Sequence, residues 1–273
     1  HSVSVSSNGS VIAIGEPYPD GGEFENQGSV SIWSFSTTSG LLSYVTELST
    51  TPPETYSNQG FSVALSANGA VLVVGAPGEN NWQGAVYVYN AGSNPYVFLP
   101  AGRYEPCAFY GGEFGYSVAV NALGDRFIAG APFNYQYGYD VGSTYTYFWN
   151  GTTYQLSQTI LGLDSEYYDH GYDEEWGVEM GTSVAMSGDG DTVALGGPDN
   201  FSYYGSPAGA VWVYNRTSVK GWSQNGSRRV GNDTESYNYL EYQGVRVALS
   251  GDGSTLAVVS QDNNGYIRVI IYQ

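Results

Sequence analysis

The chain has 273 residues, room for one or two domains and a sizeable buried core. Only 12 % of it is charged, about half the usual ~25 %, while 41 % is apolar, 15 % is aromatic, and Gly (38) and Tyr (26) are over-used. This excludes a disordered chain and, with Val, Tyr and Thr plentiful and helix formers scarce, a helical one. A net charge of −18 argues against a nucleic-acid partner or an anionic membrane surface, and no run of 18 apolar residues spans a bilayer, so no direct membrane insertion is expected.

His1 opens the chain without Met and without a signal-peptide pattern, as expected of a processed or trimmed product. From there one pattern recurs: residues 2–17 (SVSVSSNGSVIAIGEP), 60–77 (GFSVALSANGAVLVVGAP), 115–132 (GYSVAVNALGDRFIAGAP), 181–198 (GTSVAMSGDGDTVALGGP) and 244–260 (GVRVALSGDGSTLAVVS). A second signature follows each copy, at residues 28–35 (GSVSIWSF), 84–89 (GAVYVY), 142–149 (GSTYTYFW), 209–214 (GAVWVY) and 265–272 (GYIRVIIY). With Gly15, Gly75, Gly130, Gly196 and Val259 as equivalents, the periods are 60, 55, 66 and 63 residues, the size of one four-stranded propeller blade.

Local chemistry agrees. Ser-Val-Ala-Leu-Ser alternates with period two, and Asn8-Gly9, Asn68-Gly69, Asp189-Gly190 and Asp252-Gly253 stand between strand-like runs, which predicts type I′ hairpin turns. The apolar runs that follow predict strands buried between blades, ended by Pro77 or Pro132. The fold expected is all-β: a five-bladed β-propeller forming one domain over residues 1–273. Its repeats fall roughly at 1–59, 60–114, 115–180, 181–243 and 244–273. Residues 62–65, 71–74 and 86–89, with their equivalents, are the first three strands of each blade. Segments such as 42–48, 96–99 and 154–161 supply the fourth.

Phe61 or Tyr116 beside Ser-Val-Ala, then Gly75-Ala76-Pro77 or Gly130-Ala131-Pro132, then residues 84–89, resemble the FG-GAP repeat, the blade unit of the integrin α-subunit propeller. The resemblance implies a propeller of the kind found in many secreted proteins. Copy five departs from it with Val258-Val259-Ser260, and copy one lacks the leading Phe-Gly. Integrin-type repeats often carry a calcium loop of several converging carboxylates. Here that loop has shrunk to a hairpin with at most one carboxylate, so these copies resemble the short-loop, calcium-free variety and no cofactor is expected. Asp164, Glu166, Asp169 and Asp173, in a longer acidic run, are secondary metal candidates whose spacing fits no calcium motif; an exposed loop accounts for them.

No catalytic residue is assigned. Carboxylates converging on a propeller pore can hydrolyse glycosides, but the 26 acidic residues fall mostly in variable loops and not at one recurring inner-strand position. His1 and His170 offer no triad, and Gly-Phe-Ser-Val-Ala lacks the second Gly of a nucleophile elbow. No helix is evident to carry a phosphate loop. Cys107 is alone and cannot pair internally.

Tyr135, Tyr137, Tyr139, Tyr167, Tyr168, Tyr203 and Tyr204 are partner-contact candidates in loops, with the alternative that they cover loop stems and seams. Sequons at Asn8, Asn150, Asn200, Asn215, Asn225 and Asn232 all fall in predicted turns or loops, as N-linked glycans require, which points to an extracellular or cell-surface location. The leading functional expectation is a glycosylated adhesion or structural module that contacts other protein chains. A lectin-like ligand-binding propeller is the alternative, and a secreted glycoside hydrolase the third. Counting strands gives 19, one short of five full blades, so one blade is expected to be three-stranded, to have lost residues by trimming, or to be completed by another chain. A neighbouring copy adding a strand there, head to tail, would build a filament.

Overall fold

A computed structural model of the chain describes residues 1–18, 25–49, 55–91, 98–106, 111–136, 139–162, 177–198, 208–230, 241–262 and 264–273. It shows the expected all-β architecture, five antiparallel sheets arranged as a five-bladed β-propeller. Blade one holds β1 (Ser2–Val5), β2 (Val11–Glu16), β3 (Ser29–Ser36) and β4 (Leu41–Leu48). Blade two holds β5 (Ser62–Leu65), β6 (Val71–Ala76), β7 (Ala85–Ala91) and β8 (Phe98–Tyr104). Blade three holds β9 (Ser117–Val120) and β10 (Arg126–Ala131), a small hairpin β11 (Tyr135–Gln136) and β12 (Tyr139–Asp140), then β13 (Ser143–Trp149) and β14 (Tyr154–Leu161). Blade four holds β15 (Ser183–Met186), β16 (Thr192–Gly197) and β17 (Ala210–Ser218), with its outer edge split into β18 (Gly221–Gln224) and β19 (Arg229–Val230). Blade five has three strands, β20 (Glu241–Leu249), β21 (Leu256–Asp262) and β22 (Ile267–Tyr272), so the strand missing from the sequence count is its outer one among the described residues. In the expected fourth strand of blade two, residues 96 and 97 lie outside the described residues, and β8 is described from Phe98. One short turn, Glu79–Trp82, coils tightly with Asn80, Asn81 and Trp82 in the left-handed region.

The hairpins between first and second strands are not type I′. That turn needs positive φ at both central residues, and only the glycine has it: Gly69 at 69°, with Asn68 outside that region. The Gly69 amide bonds the Ser66 carbonyl (2.8 Å), a tight turn closed by a left-handed glycine. Side chains explain the preference. Ser66 Oγ donates to Asn68 Oδ1 (2.7 Å) and accepts the Val71 amide (2.9 Å), while Asn68 Oδ1 also accepts the Ala70 amide (2.9 Å). Ser6–Asn8, Ser187–Asp189 and Ser250–Asp252 repeat the device, and in blade three Asn121 Oδ1 takes the amide of Arg126. Each Asp in these turns therefore serves as Asn does. Hydrogen bonds from Ser250 and Ser254 hold the Asp252 carboxyl down at about 2.

Blades join by one seam chemistry, used four times. The serine of each first strand donates to the carbonyl of the glycine that opens the next blade: Ser2 to Gly60 (2.8 Å), Ser62 to Gly115 (2.8 Å), Ser117 to Gly181 (2.7 Å) and Ser183 to Gly244 (2.7 Å). The glycine of Gly-Ala-Pro lies under that carbonyl, and a Cβ at Gly75 would overlap the Gly115 oxygen. At the other end the turns link in series, Ser7 N to Ala67 O, Ala67 N to Ala122 O, Ala122 N to Gly188 O and Gly188 N to Gly251 O.

The core is four apolar clusters, one per seam. Val11, Ala13, Val30 and Ile32 meet Val63, Leu65, Leu72 and Val74 between blades one and two. Val73, Val86 and Val88 meet Phe127, Ala129 and Tyr147 in the next, where Phe127 and Tyr147 stack 4.5 Å apart. Ile128 and Ile160 meet Leu195 and Trp212, and Val211 and Val213 meet Leu256 and Val258. Fully burying one such side chain contributes about 1.5–3 kcal/mol, so the seams hold the fold.

Candidate functional site

Strand polarity sorts the molecule into two ends. First strands begin, and second strands finish, at what is here the loop end; the Asn-Gly turns lie at the opposite, turn end. At the loop end, the residue one before the seam-serine position recurs around the inner strands: His1, Phe61, Tyr116, Thr182 and Val245. Three of these rings form a continuous arc, His1 to Phe61 at 4.5 Å and Phe61 to Tyr116 at 4.8 Å. Phe133 from the loop after β10 meets Tyr116 edge-on at 5.9 Å, and Tyr18 from the loop after β2 meets His1 edge-on at 5.9 Å.

Two residues before the glycines that open blades two, three and four stand Asn58, Glu113 and Glu179, with φ of 54°, 53° and 51°. A non-glycine residue is uncommon there. The strain has a structural cause. Each closes a tight turn, Tyr116 N to Glu113 O (3.0 Å), Phe61 N to Asn58 O (3.1 Å) and Thr182 N to Glu179 O (3.2 Å), which drives the next side chain, fully buried Phe114 after Glu113, into a seam. Asn58 shows that this turn does not require a carboxylate. The acid at Glu113 and Glu179 is thus a chemical choice beyond the fold.

The electrostatics draw these groups together. Burial alone pushes the Glu113 carboxyl up to about 7. Burial, then the Glu113 charge, raises the Tyr18 phenol. Burial first and Glu113 second also raise Tyr116, whose hydroxyl senses Arg246, Glu179 and Tyr18 in addition. The loop-end mouth therefore collects groups from across the blades: a half-buried carboxyl, a second carboxylate, a guanidinium and an arc of aromatic faces. Such a set suits a cationic group with an apolar stem, held by aromatic faces and a carboxylate.

Sequence reasoning missed this cluster. Phe61 and Tyr116 were read as parts of the repeat, and the carboxylates as lacking a recurring position; Glu113 and Glu179 in fact share one, immediately before the inner strand. The signal was there, as Glu-Phe-Gly and Glu-Met-Gly in register. Of the tyrosine candidates, Tyr135 is exposed on β11 at the loop end and Tyr139 lies in β12; Tyr137, Tyr167, Tyr168, Tyr203 and Tyr204 lie outside the described residues. So do Asp164, Glu166, Asp169 and Asp173, and Cys107. Among the described residues, no group of three or more His, Cys, Asp or Glu is placed to hold a metal ion. Tyr104, Tyr147 and Tyr154 pack around Phe127 in a seam.

Asn8, Asn150, Asn215 and Asn225 are exposed, and Asn200 and Asn232 lie outside the described residues. Asn8 sits in a turn, Asn150 just past β13 and Asn215 opposite Thr192, all three at the turn end. A second acidic group, Glu79, is buried at the loop end of blade two. It accepts from Arg103 Nε (2.8 Å) and Tyr87 Oη (2.7 Å), ties the loop after β6 to β7 and β8, and serves packing.

No family model matches the chain, so the FG-GAP resemblance rests on its own residues. No curated protein matches it. Among solved structures it resembles the periplasmic gluconolactonase of Pseudomonas aeruginosa, at 14 % identity and a TM-score of 0.61, over 100 % of this chain and 71 % of that one. It also resembles a functionally unknown protein from Desulfotomaculum acetoxidans, at 12 % identity and a TM-score of 0.56, over 99 % and 74 %. Both likenesses concern the propeller fold. No helix among the described residues is long and apolar enough to cross a membrane.

Proposed function

We propose that this propeller is an extracellular, N-glycosylated recognition module of the adhesion or structural kind, which holds a basic segment of a partner protein at its loop-end mouth. The observation that carries the reading is Glu113, half-buried beside Tyr18 and Tyr116 and followed around the axis by Phe61. A carboxyl at a strained position that Asn also fills, near the aromatic arc, supports this reading. The charge of −18 steers a basic partner toward the molecule. Sequons at Asn8, Asn150 and Asn215 lie at the opposite end, where glycans leave the mouth clear.

The aromatic faces also suit a sugar, which is the lectin-like alternative. A catalytic reading draws on the gluconolactonase likeness together with a carboxyl near 7, the range of a general acid or base. One experiment with three arms separates them. The glycosylated chain is applied to arrays of Arg- and Lys-containing peptides, to a glycan array, and to gluconolactone with proton release as the readout. Binding to the basic peptides that is lost in Glu113→Gln supports recognition of a protein partner. Glycan binding in its place, or lactone turnover lost in the same variant, overturns it.

A further inference from the structure

Four seams mate eight of the ten faces of the five blades, and the remaining two are unmated among the described residues. Val63 and Leu65 of blade two are buried against blade one, Val63 to 8 % exposure. Their equivalents in blade one, Val3 and Val5, are open to solvent, Val3 to 65 %. On the other side, Val86 and Val88 of blade two are fully buried against blade three. Their equivalents in blade five, Val269 and Ile271, are open, Val269 to 60 %, and Ile267 beside them is exposed as well. These apolar sheet faces have the composition of a seam and no seam.

The joining devices are missing at the same place. Where Ser62 donates across a seam, blade five has Arg246, whose Nη1 turns to its own chain at the Val245 carbonyl. Where Gly75 admits the next blade's carbonyl, blade five has Val259. The series of turn-to-turn hydrogen bonds ends at Gly251, and none of the four apolar clusters joins blades five and one among the described residues. The outer edge of β22 also carries no partner strand among those residues. An open edge beside an open apolar face is a surface proteins cover.

We propose that the gap between blades five and one is filled by two further blades of this same repeat on the same polypeptide, entered by a strand that pairs along β22. The number comes from the likeness in fold. The gluconolactonase is matched over 71 % of its chain by all 273 residues, so its remainder is about 110 residues on this scale, close to two repeats of 55–66. The second neighbour leaves a remainder of about 95. The entering strand supplies the missing outer strand of blade five, and its blade covers Ile267, Val269 and Ile271. The last blade covers Val3 and Val5.

The test has two readouts. In dilute residues 1–273, thiol labelling is measured at Val3→Cys and Val269→Cys, with Val63→Cys and Val86→Cys as the same positions in mated seams and peptide masses separating them from Cys107. The first pair is expected to react at least about tenfold faster than the second, independently of protein concentration. The native polypeptide, detected in its source with an antibody to residues 1–273 after N-glycan removal, is expected to exceed 29.3 kDa by about 12 kDa or more. Slow labelling of Val3→Cys and Val269→Cys in a monomer means that five blades close by themselves. Slow labelling that appears only at high concentration means that a second copy covers the faces. Either result, or a native mass of 29.3 kDa, overturns the proposal.

Discussion

The hydroxyl of Ser62 lies 2.8 Å from the carbonyl oxygen of Gly115, two residues before the next blade's inner strand. That contact, with Gly75 beneath the same carbonyl, is how one repeat recognises the next. Ser62→Ala is expected to lower unfolding free energy by about 1 kcal/mol, the net worth of one hydrogen bond. Gly75→Ala is expected to cost about 3 kcal/mol or more, because the added methyl meets backbone that cannot give. Urea unfolding of both variants checks this; equal losses would contradict the seam geometry.

Glu113 makes stability depend on pH. Its folded value, about 7, stands above the ordinary 4.5, so between those values the folded state keeps a proton that the unfolded state has released. Stability therefore falls as pH rises from about 4.5 to 7 through this group, and levels off above. Glu113→Gln is expected to remove that part of the slope and to melt higher than the parent at pH 8. Thermal unfolding across pH 4–9 reads both, and unchanged profiles would contradict the burial of this carboxyl.

Arg103 neutralises Glu79 in a nearly dry setting while remaining partly exposed itself. Arg103→Ala leaves a buried carboxylate short of its cation and is expected to cost about 2–3 kcal/mol, below the usual figure for a fully buried pair. Tyr87→Phe removes the hydroxyl that donates to Glu79 and accepts from Arg103 Nε, and is expected to cost about 1–1.5 kcal/mol because Arg103 still pairs with the carboxylate. Urea midpoints that rank the two variants in the reverse order would contradict a packing role for the Arg103 ion pair.

Glycans are expected on Asn150 and Asn215 when the chain passes through a eukaryotic secretory pathway. Removal with an amidase specific for N-glycans should lower the mass, and Asn150→Gln and Asn215→Gln should each remove one glycan. A mass unchanged by the amidase would contradict the extracellular reading.

Much of the fold was legible because its rules are local and repeated. Period-two alternation in residues 62–65 and the apolar run at 71–74 each place a strand whose neighbours on both sides are known from the other copies. The turn type was misread because Asn68-Gly69 satisfies two hairpin geometries. The choice between them is made by Ser66, whose hydroxyl captures Asn68 and the Val71 amide. The mouth was harder to see. Glu113, Tyr18 and Arg246 are far apart in sequence, and only the circular arrangement of inner strands brings their charges within reach of Tyr116. Aromatic residues at Phe61 and Tyr116 carry the repeat signature and line the mouth at once, and a repeat signature hides the second role.

The most direct test of loop-end recognition is equilibrium binding of the best basic peptide from the array to four forms of the glycosylated chain. Glu113→Gln and Tyr116→Ala alter the mouth, while Leu123→Asp alters an exposed residue in a turn at the opposite end. Loss of a cation contact worth about 1–2 kcal/mol predicts roughly tenfold weaker binding for each mouth variant and a change within about twofold for Leu123→Asp. Parent-like affinity in both mouth variants, or weakening confined to Leu123→Asp, would contradict the account.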